Sequence, residues 1–566
     1  MNGFAHWVVL PVVVPLLSAA LALVLGPARR GAQAVVSVAA VVALLAVALR
    51  LVADTADGTV LPYLLGNWRA PFGIVLVADG LSATMLLLAA VLAAAALAYA
   101  LIERSDTDRG GPVAHAYFHP LFLFQLTGIN GAFLTGDLFN LFVFFEVLLI
   151  ASYGLLLHGV LDARTGDAPG APGRRMTAAF QYVVYNLVGS ALFLIGVSLI
   201  YGVTGTLNMA DLAVRVPQVA AEDRPLLEAG ALILLVVFCI KGALLPLNAW
   251  LPATYAAAGV PAATLFAVLT KVGVYCVARV FTLVFGADAG ASAGLADGLL
   301  LVFGIATVLA GTLGVLAARE PARMAGWFVI GSSGTLLAAL GFADARITAG
   351  ALFYLLDSTL AASAFFMLVG LMRVATAATA APARTTASTV GGSVSTGGPS
   401  QASGAAALAA RVEPVGAGLT ALGLAFFVVA MMLAGLPPLA GFLGKFILLS
   451  AAIGGGPQGD APVVGSAWLA GAVLLNGLAA IVALSRLGSR TFWKGGARLQ
   501  PPGRSAVVPL AIPLSLAVGL MVFAGPVSRH VEGAASALYA PKPYLDAVLR
   551  TQPVPSPPKA HAEPAR

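Results

Sequence analysis

Residues 137–158 read DLFNLFVFFEVLLIASYGLLLH, an apolar run interrupted near its middle by one carboxylate, Glu146. A transmembrane helix needs about 20 predominantly apolar residues to cross a hydrocarbon core of roughly 30 Å. A charged side chain at the centre of such a helix costs about 2.5–3.5 kcal/mol on insertion scales, so these residues are rare and usually functional. The stretch therefore predicts a membrane-spanning helix that carries a functional charge.

Comparable runs recur along all 566 residues, of which 60% are hydrophobic and only 10% are charged. Soluble domains contain about 25% charged residues, so this composition excludes an ordinary water-facing surface. The first run, 4–25, lacks the basic start and the small-residue cleavage site of a signal peptide, so we interpret it as a span. The sequence predicts an all-α polytopic membrane protein of about 14 transmembrane helices, at 4–26, 33–53, 79–102, 116–135, 137–158, 176–203, 228–248, 259–284, 294–317, 322–343, 346–373, 414–453 (long and interrupted), 464–489 and 505–526.

Basic residues are distributed unevenly between the loops. Most of them follow odd-numbered spans, whereas the loops after even-numbered spans hold only Arg69, Arg215, Arg224 and Arg346. The positive-inside rule then places the N-terminus outside and the odd-numbered loops in the cytoplasm. The net charge of +7 is explained by these loops rather than by a nucleic-acid surface. We expect a multi-pass protein of the cell inner membrane.

The composition divides the chain into three parts. Residues 1–115 contain the first three helices, 116–490 form the transmembrane core, and 491–566 hold a last helix and a disordered tail. The core is interrupted at 374–410, where Ala, Thr, Ser and Gly predominate, as is typical of a flexible linker. An even number of spans returns the C-terminal tail to the outside.

Three lysines and a second carboxylate also lie inside predicted spans. Lys241 lies in LLVVFCIKGALLPL, Lys271 in LFAVLTKVGVYCV, Lys445 in GFLGKFILLS and Asp357 in ALFYLLDSTLAASAFF. Each could instead belong to a structural ion pair, but acidic residues are too scarce to pair every lysine. Burial favours the neutral form of a lysine, and a nearby carboxylate such as Glu146 favours its charged form. These properties suit groups that exchange protons.

Prolines accompany two of these lysines. Lys241 precedes Leu245-Pro246, and Lys445 follows Leu436-Pro437-Pro438. A proline inside a span frees backbone groups, which only protein or water can satisfy at that depth. Broken helices beside ionisable residues recur in ion-coupled transporters, although an ordinary kinked helix is the alternative.

The remaining polar residues indicate no cofactor or metal site. Asp137 is interpreted as a helix N-cap, and His119 and His158 are expected to face the membrane interface. Cys239 and Cys276 lie in apolar helices without ligand spacing. No phosphate-binding loop or Ser-His-Asp arrangement is present in the sequence, so we expect a transporter rather than an enzyme.

Two longer stretches carry a family resemblance: LTGINGAFLTGDLFNLFVFFEVLLIASYGLLL at 126–157 and IKGALLPLNAWLPATYAAAGVPAATLFAVLTKVGVYCVAR at 240–279. They resemble the D subunits of Mrp/Pha-type multisubunit monovalent cation/proton antiporters, which are related to antiporter-like membrane subunits of respiratory complex I. The resemblance runs from about 60 to 490. It implies two inverted five-helix repeats, with broken helices at the seventh and twelfth spans.

The resemblance also assigns site residues. It matches Glu146, Lys241, Lys271 and Lys445 to the family's charged positions on helices five, seven, eight and twelve, which line a hydrated axis. Some complex I homologues place a glutamate at the last of these positions. Two departures stand out: the tenth span, ARMAGWFVIGSSGTLL, and the eleventh, FYLLDSTLA with Asp357, lack histidines that many relatives have. A proton route through those histidines is therefore in doubt, and Asp357 could act in their place.

The leading hypothesis is a proton-translocating subunit in which Glu146 tunes Lys241, with Lys271 and Lys445 relaying protons onward. Exchange would be coupled to Na⁺ or K⁺ together with other membrane subunits. The runner-up is a proton-pumping arm subunit of a complex I-like NADH:quinone oxidoreductase or membrane hydrogenase, which co-purifying redox partners would favour. A third hypothesis is a scaffold subunit without transport, in which neutralising Glu146 and Lys241 would have no effect.

Overall fold

A computed structural model describes residues 5–106, 117–157, 171–380, 417–454, 464–493 and 507–554. Within these ranges nine helices are long and apolar enough to cross a membrane, or ten if the bent pair at 508–539 forms one span. Shorter apolar helices accompany them. The predicted all-α polytopic membrane fold is thereby confirmed.

Two antiparallel helices, a hairpin and a third helix form the N-terminal part: α1 (Leu10–Leu25), α2 (Arg30–Asp54), β1 (Leu61–Leu64), β2 (Val75–Ala78) and α3 (Gly80–Asp106). The two strands are antiparallel, and Leu61 pairs with Ala78. This hairpin was not predicted from the sequence.

The core continues with helices on both sides of the two broken spans. Its first half contains α4 (Phe118–Leu134), α5 (Leu138–Leu157), α6 (Ala171–Thr204), α7 (Met209–Arg215), α8 (Arg224–Gly242), α9 (Leu251–Ala257), α10 (Val260–Phe266) and α11 (Leu269–Leu283). The rest of the chain forms α12 (Asp297–Ala317), α13 (Pro321–Leu340), α14 (Ala345–Ala380), α15 (Ala417–Ala434), α16 (Ala440–Ile453), α17 (Ser466–Gly488), α18 (Val508–Val522), α19 (Ala524–Tyr539) and α20 (Lys542–Arg550).

Helices α10–α11 and α14 occupy the centre of the bundle. In their most apolar stretches of 18 residues, 94% and 89% of the residues are buried inside the protein. A helix that is apolar on all sides is stable only when other helices or lipid surround it. Helix α13 packs against α14, α11 and α12, so it lies between the two central spans. The central position of these helices places Lys271 and Asp357 far from the lipid-facing surface.

The broken helices predicted at the two proline segments are present. Helix α8 ends at Gly242 and α9 begins at Leu251. Side chains form hydrogen bonds with backbone groups that the break leaves without helical partners, as is necessary within a bilayer. Trp250 Nε1 donates to the Ile240 carbonyl at 3.3 Å, and the Leu245 amide donates to Thr307 Oγ1 at 2.8 Å.

The second predicted break separates α15 from α16 at residues 435–439. A third break, between α10 and α11, was not predicted, because neither proline nor glycine marks residues 267–268. The hydroxyl of Tyr255 donates to the Phe266 carbonyl there at 2.8 Å, which satisfies a group released by the break. The inverted relation of the two five-helix sets stays a prediction.

Loops that follow even-numbered spans meet on one face of the bundle, which we call the outer face. The Gly136 amide donates to the Val75 carbonyl at 2.9 Å, and the Met209 amide donates to the Gly136 carbonyl at 2.8 Å. Helix α20 packs on α7 at the same face, and α19 packs across α14 and α3. The C-terminal helices therefore lie on the face that the positive-inside rule assigns to the outside.

The structure differs from the sequence prediction in two places, at the start of the predicted linker and near the C-terminus. Helix α14 continues to Ala380, so residues 374–380 are helical rather than part of the predicted linker. The rest of that linker, 381–410, lies outside the described residues. Between 524 and 550 the structure has two helices where a tail was expected, and the Pro-rich ending at 555–566 again lies outside the described residues.

Candidate ion-translocation site

Glu146 and Lys241 are connected through two polar side chains of α6. Ser190 Oγ donates a short hydrogen bond to Glu146 Oε1, and Lys241 Nζ donates to Asn186 Oδ1 at 2.8 Å. Asn186 and Ser190 are four residues apart, so they share one face of α6. The Lys241 ammonium also lies 5.5 Å from the centre of the Phe145 ring. Helix α6 thus joins the carboxylate of α5 to the ammonium of α8.

Lys241 lies in the last turn of α8, where the helix breaks inside the protein. The side chain is nevertheless deep within the protein, since it is 7% exposed. A cation at a helix C-terminus is favoured by the helix dipole. The break therefore brings the negative end of the α8 dipole next to Lys241.

Lys271 is more deeply buried, with 1% of its surface exposed. It lies in the first turn of α11 and donates to Ser332 Oγ at 2.5 Å, with Ser333 Oγ at 3.5 Å. Both serines belong to the GSSG stretch of α13. Hydroxyls therefore surround the ammonium of Lys271 on this side.

A cavity of about 20 Å³ continues from the Lys271 partner towards Asp357 and is lined by Ser332, Tyr354, Asp357, Leu433 and Asn476 among others. This volume holds about one water molecule. Asp357 is 1% exposed, and its Oδ1 atom has no hydrogen-bond partner among the described residues. The cavity brings Asp357 of α14 next to the α13 hydroxyl that Lys271 contacts.

Lys445 of α16 is held by the end of the other half of its broken span. Its Nζ atom donates to the Ala434 carbonyl at 2.9 Å and to the Leu433 carbonyl at 3.4 Å. Gly435, with φ 76°, follows these carbonyls, and a Cβ atom there would lie 2.7 Å from Lys445 Nζ. The side chain is half-buried. Its helix packs directly on α14, and Asp357 Oδ2 would lie 2.9 Å from a Cβ atom at Gly441 of α16.

None of the three lysines has a carboxylate oxygen within 4.0 Å in the ranges that the structure describes. The structural ion pair considered as an alternative for each lysine is therefore wrong as a direct contact. The predicted residues instead form a series of ionisable groups inside the bundle, Glu146, Lys241, Lys271, Asp357 and Lys445. Neutral polar side chains lie between Glu146 and Lys241 and between Lys271 and Asp357.

Several partners of the charged groups were not predicted from the sequence. The neutral partners Asn186, Ser190, Ser332 and Ser333 were missed because serine and asparagine are common in membrane helices. A buried ion pair between Asp79 and Arg279 was missed as well, since both residues lie near the ends of predicted spans.

Two further expectations concern single polar residues. Asp137 caps α5 as predicted, with Oδ1 accepting from the Asn140 amide at 2.8 Å. His119 does not face the interface: it is 1% exposed, and its Nδ1 atom lies 2.9 Å from Ser37 Oγ. His158 lies outside the described residues. Cys239 and Cys276 are buried in α8 and α11.

Solved structures with the same fold support the arrangement of the helices. The chain superposes on a chain of the Mrp complex from Dietzia sp. DQ12-45-1b with a TM-score of 0.77 and 24% identity, covering 97% of this chain and 100% of the other. It superposes on a chain of respiratory complex I from Thermus thermophilus with a TM-score of 0.69 and 23% identity, covering 94% and 99%.

Comparison with known sequences identifies the family, whereas the solved structures show the fold alone. The chain is 42% identical to the D subunit of a probable K⁺/H⁺ antiporter from Rhizobium meliloti (strain 1021), covering 96% of this chain and 97% of the relative. It is 33% identical to the D subunit of a Na⁺/H⁺ antiporter from Bacillus subtilis (strain 168), covering 97% and 100%. Residues 135–387 match the family described as NADH:quinone oxidoreductase/Mrp antiporter, transmembrane. With this match over its core and similarity over nearly its whole length, the chain belongs to the NADH:quinone oxidoreductase/Mrp antiporter family.

Proposed function

We propose that this protein is the proton-translocating D-type subunit of a multisubunit monovalent cation/proton antiporter. The observation that carries the proposal is the series of three lysines and two carboxylates inside the bundle, each lysine bonded to neutral groups at or near a helix break. The names of its relatives, which include D subunits of K⁺/H⁺ and Na⁺/H⁺ antiporters, support the same function.

In the proposed relay, a change of charge at one group alters the proton affinity of the next. A proton that neutralises Glu146 weakens the electrostatic attraction that holds the proton of Lys241. The proton of Lys241 can then move on to Lys271, whose Ser332 partner borders the cavity that reaches Asp357. Asp357 in turn lies beside Gly441 of α16, the helix that carries Lys445.

We propose the protein partners of this subunit from the printed names of its relatives. Those relatives are named as subunits, and the Dietzia structure is that of a complex. We therefore expect other membrane subunits beside this chain in the cell membrane. A role as a proton-pumping subunit of a complex I-like oxidoreductase has less support. The chain is only 23% identical to the complex I chain, so that similarity concerns the fold alone.

Two substitutions of Lys271 test the relay. Lys271→Ala removes the charge, and Lys271→Arg keeps a charge that cannot be released, because an arginine does not lose its proton in proteins. We expect both to abolish cation-dependent pH recovery in everted vesicles, while the amount of assembled complex on a native gel is unchanged.

A matched control is Ser363→Ala on α14, which removes a buried hydroxyl that has no partner among the described residues. Exchange by this variant should equal that of the wild type. Full exchange by Lys271→Arg would contradict the relay, because it would show that a fixed charge is sufficient at this position.

A further inference from the structure

One face of α11 carries three polar side chains between the middle of the bundle and the outer face. Lys271, Tyr275 and Arg279 are spaced by four residues, so they lie on successive turns of the same face. Eight residues of helix extend about 12 Å. Because α11 is buried nearly all round, this face is enclosed by protein rather than by lipid.

At its outer end this face meets a buried ion pair. Arg279 Nη2 lies 2.7 Å from both carboxylate oxygens of Asp79, and the two side chains are 5% and 10% exposed. Arg279 Nε also donates to the Tyr275 hydroxyl at 3.4 Å, which itself donates to the Phe133 carbonyl at 2.6 Å. A buried ion pair adds little net stability, since desolvation offsets its attraction. Stability alone therefore does not account for this cluster.

The ion pair forms the inner wall of a cavity of about 310 Å³, which has room for several water molecules. The C-terminal helices cover it: Tyr544 of α20 places its ring 5.1 Å from the Arg279 guanidinium, and Ala537 of α19 lines the cavity beside it. The mouth is formed by exposed residues, including Asp57 and Ser536.

The mouth carries a fixed negative charge. Hydrogen bonds from the side chain and the backbone amide of Thr59 lower the pKa of the Asp57 carboxyl below its usual value. An anion at the rim raises the local concentration of protons and other cations. At the base of the cavity the Arg279 guanidinium is paired with the Asp79 carboxylate, so the inner wall carries both a donor and an acceptor but no net charge.

We propose that this cavity is the outer vestibule of the proton route, and that the Asp79–Arg279 pair and Tyr275 connect it to Lys271. The inference rests on the proposed proton relay, which it extends from Lys271 to the outer solution. The vestibule admits water and protons from the outer solution to the outer end of this face of α11. The C-terminal helices form its outer wall.

Thiol labelling tests the vestibule in the assembled complex. Ala537→Cys places a thiol on the half-buried wall, and Ala221→Cys places one on an exposed outer turn that does not line the cavity. The natural cysteines are buried, so the wild type controls for background. Intact cells are treated with the membrane-impermeant, cationic trimethylammonium-ethyl methanethiosulfonate, and exchange is then measured in everted vesicles.

We expect both thiols to be labelled from outside, with loss of exchange for Ala537→Cys and unchanged exchange for Ala221→Cys. The proposal is overturned if Ala537→Cys stays unlabelled, or if it is labelled and keeps full exchange. Ser536→Cys, at the exposed mouth, replaces Ala537→Cys if that variant fails to assemble. Failure of the vestibule with an inactive Lys271→Ala leaves the relay intact, whereas an active Lys271→Ala removes the relay whatever the labelling shows.

Discussion

At the scale of single residues, each buried lysine is held by groups that carry no net charge. Lys241 contacts the Asn186 amide, Lys271 contacts serine hydroxyls, and Lys445 contacts backbone carbonyls. Hydrogen bonds satisfy the ammonium group, but a neutral partner holds a proton less firmly than a carboxylate would. In the proposed relay, these neutral partners leave the lysine protons free to exchange.

Asn186→Asp tests this argument, because it places a carboxylate where the amide oxygen now lies 2.8 Å from Lys241 Nζ. Two unit charges 4 Å apart attract by about 4 kcal/mol at an effective dielectric constant of 20. We expect the proton to be held more tightly and exchange in everted vesicles to slow markedly, with normal assembly. Gln218→Glu, the same change at an exposed position on the outer face, should leave exchange unaltered. Wild-type exchange by Asn186→Asp would show that the partner's charge is unimportant.

The residues of the site could be predicted from the sequence much better than their contacts. A charge within a long apolar run is visible without a structure, which is why Glu146, Lys241 and Lys271 were identified. Their partners depend on which faces of neighbouring helices meet, and the spacing of Asn186 or Ser332 carries no such information. Asp79 and Arg279 escaped notice because they lie 200 positions apart in sequence and pair only in the fold.

At the scale of the helices, the break between α15 and α16 shapes the site of Lys445. Gly435 permits the break, since its φ of 76° is a left-handed conformation that side chains disfavour. The same glycine leaves the space through which Lys445 reaches the Ala434 carbonyl. Prolines predicted this break from sequence, whereas the break before α11 has no such signal and depends on the Tyr255 hydroxyl.

Gly435→Ala should therefore displace Lys445 and destabilise the complex. The left-handed conformation alone costs roughly 1–2 kcal/mol for a residue with a Cβ atom. Gly423→Ala, within α15, is the matched control, because its Cβ atom would meet nothing within 4 Å. Loss of exchange and a lower melting temperature in detergent are expected for the first variant, and neither for the second. Equal behaviour of the two would refute a special role of Gly435.

At the scale of the whole molecule, the C-terminal helices connect separate elements of the outer face through hydrogen bonds. Tyr539 of α19 lies 2.8 Å from Thr348 at the start of α14, and His530 lies 2.8 Å from Thr84 of α3. The amide and the carbonyl of Val554 both bond to the Asn67 side chain at 2.8 Å. The sequence did not predict these helices, because their low hydropathy resembles that of a tail.

Two truncations separate these helices from the end of the chain. Removing 524–566 takes away α19, which packs on α14 and α3 and buries its own Leu538 to 4% exposure, and it uncovers the Asp79–Arg279 pair. We expect much less assembled complex on a native gel. Removing only 555–566, which the sequence predicts to be disordered, should leave its amount unchanged. Normal assembly without 524–566 would show that the helices are dispensable.

The hydrogen bonds from Lys445 to backbone carbonyls have a consequence for proton transfer in the proposed relay. A carboxylate that neutralises a lysine can take back the proton that the lysine releases, and the two then exchange it to and fro. The end of a helix supplies a negative dipole that accepts no proton at any physiological pH. In the proposed relay, a proton released by Lys445 is therefore not taken up by the carbonyls that hold the ammonium, and it moves to another acceptor.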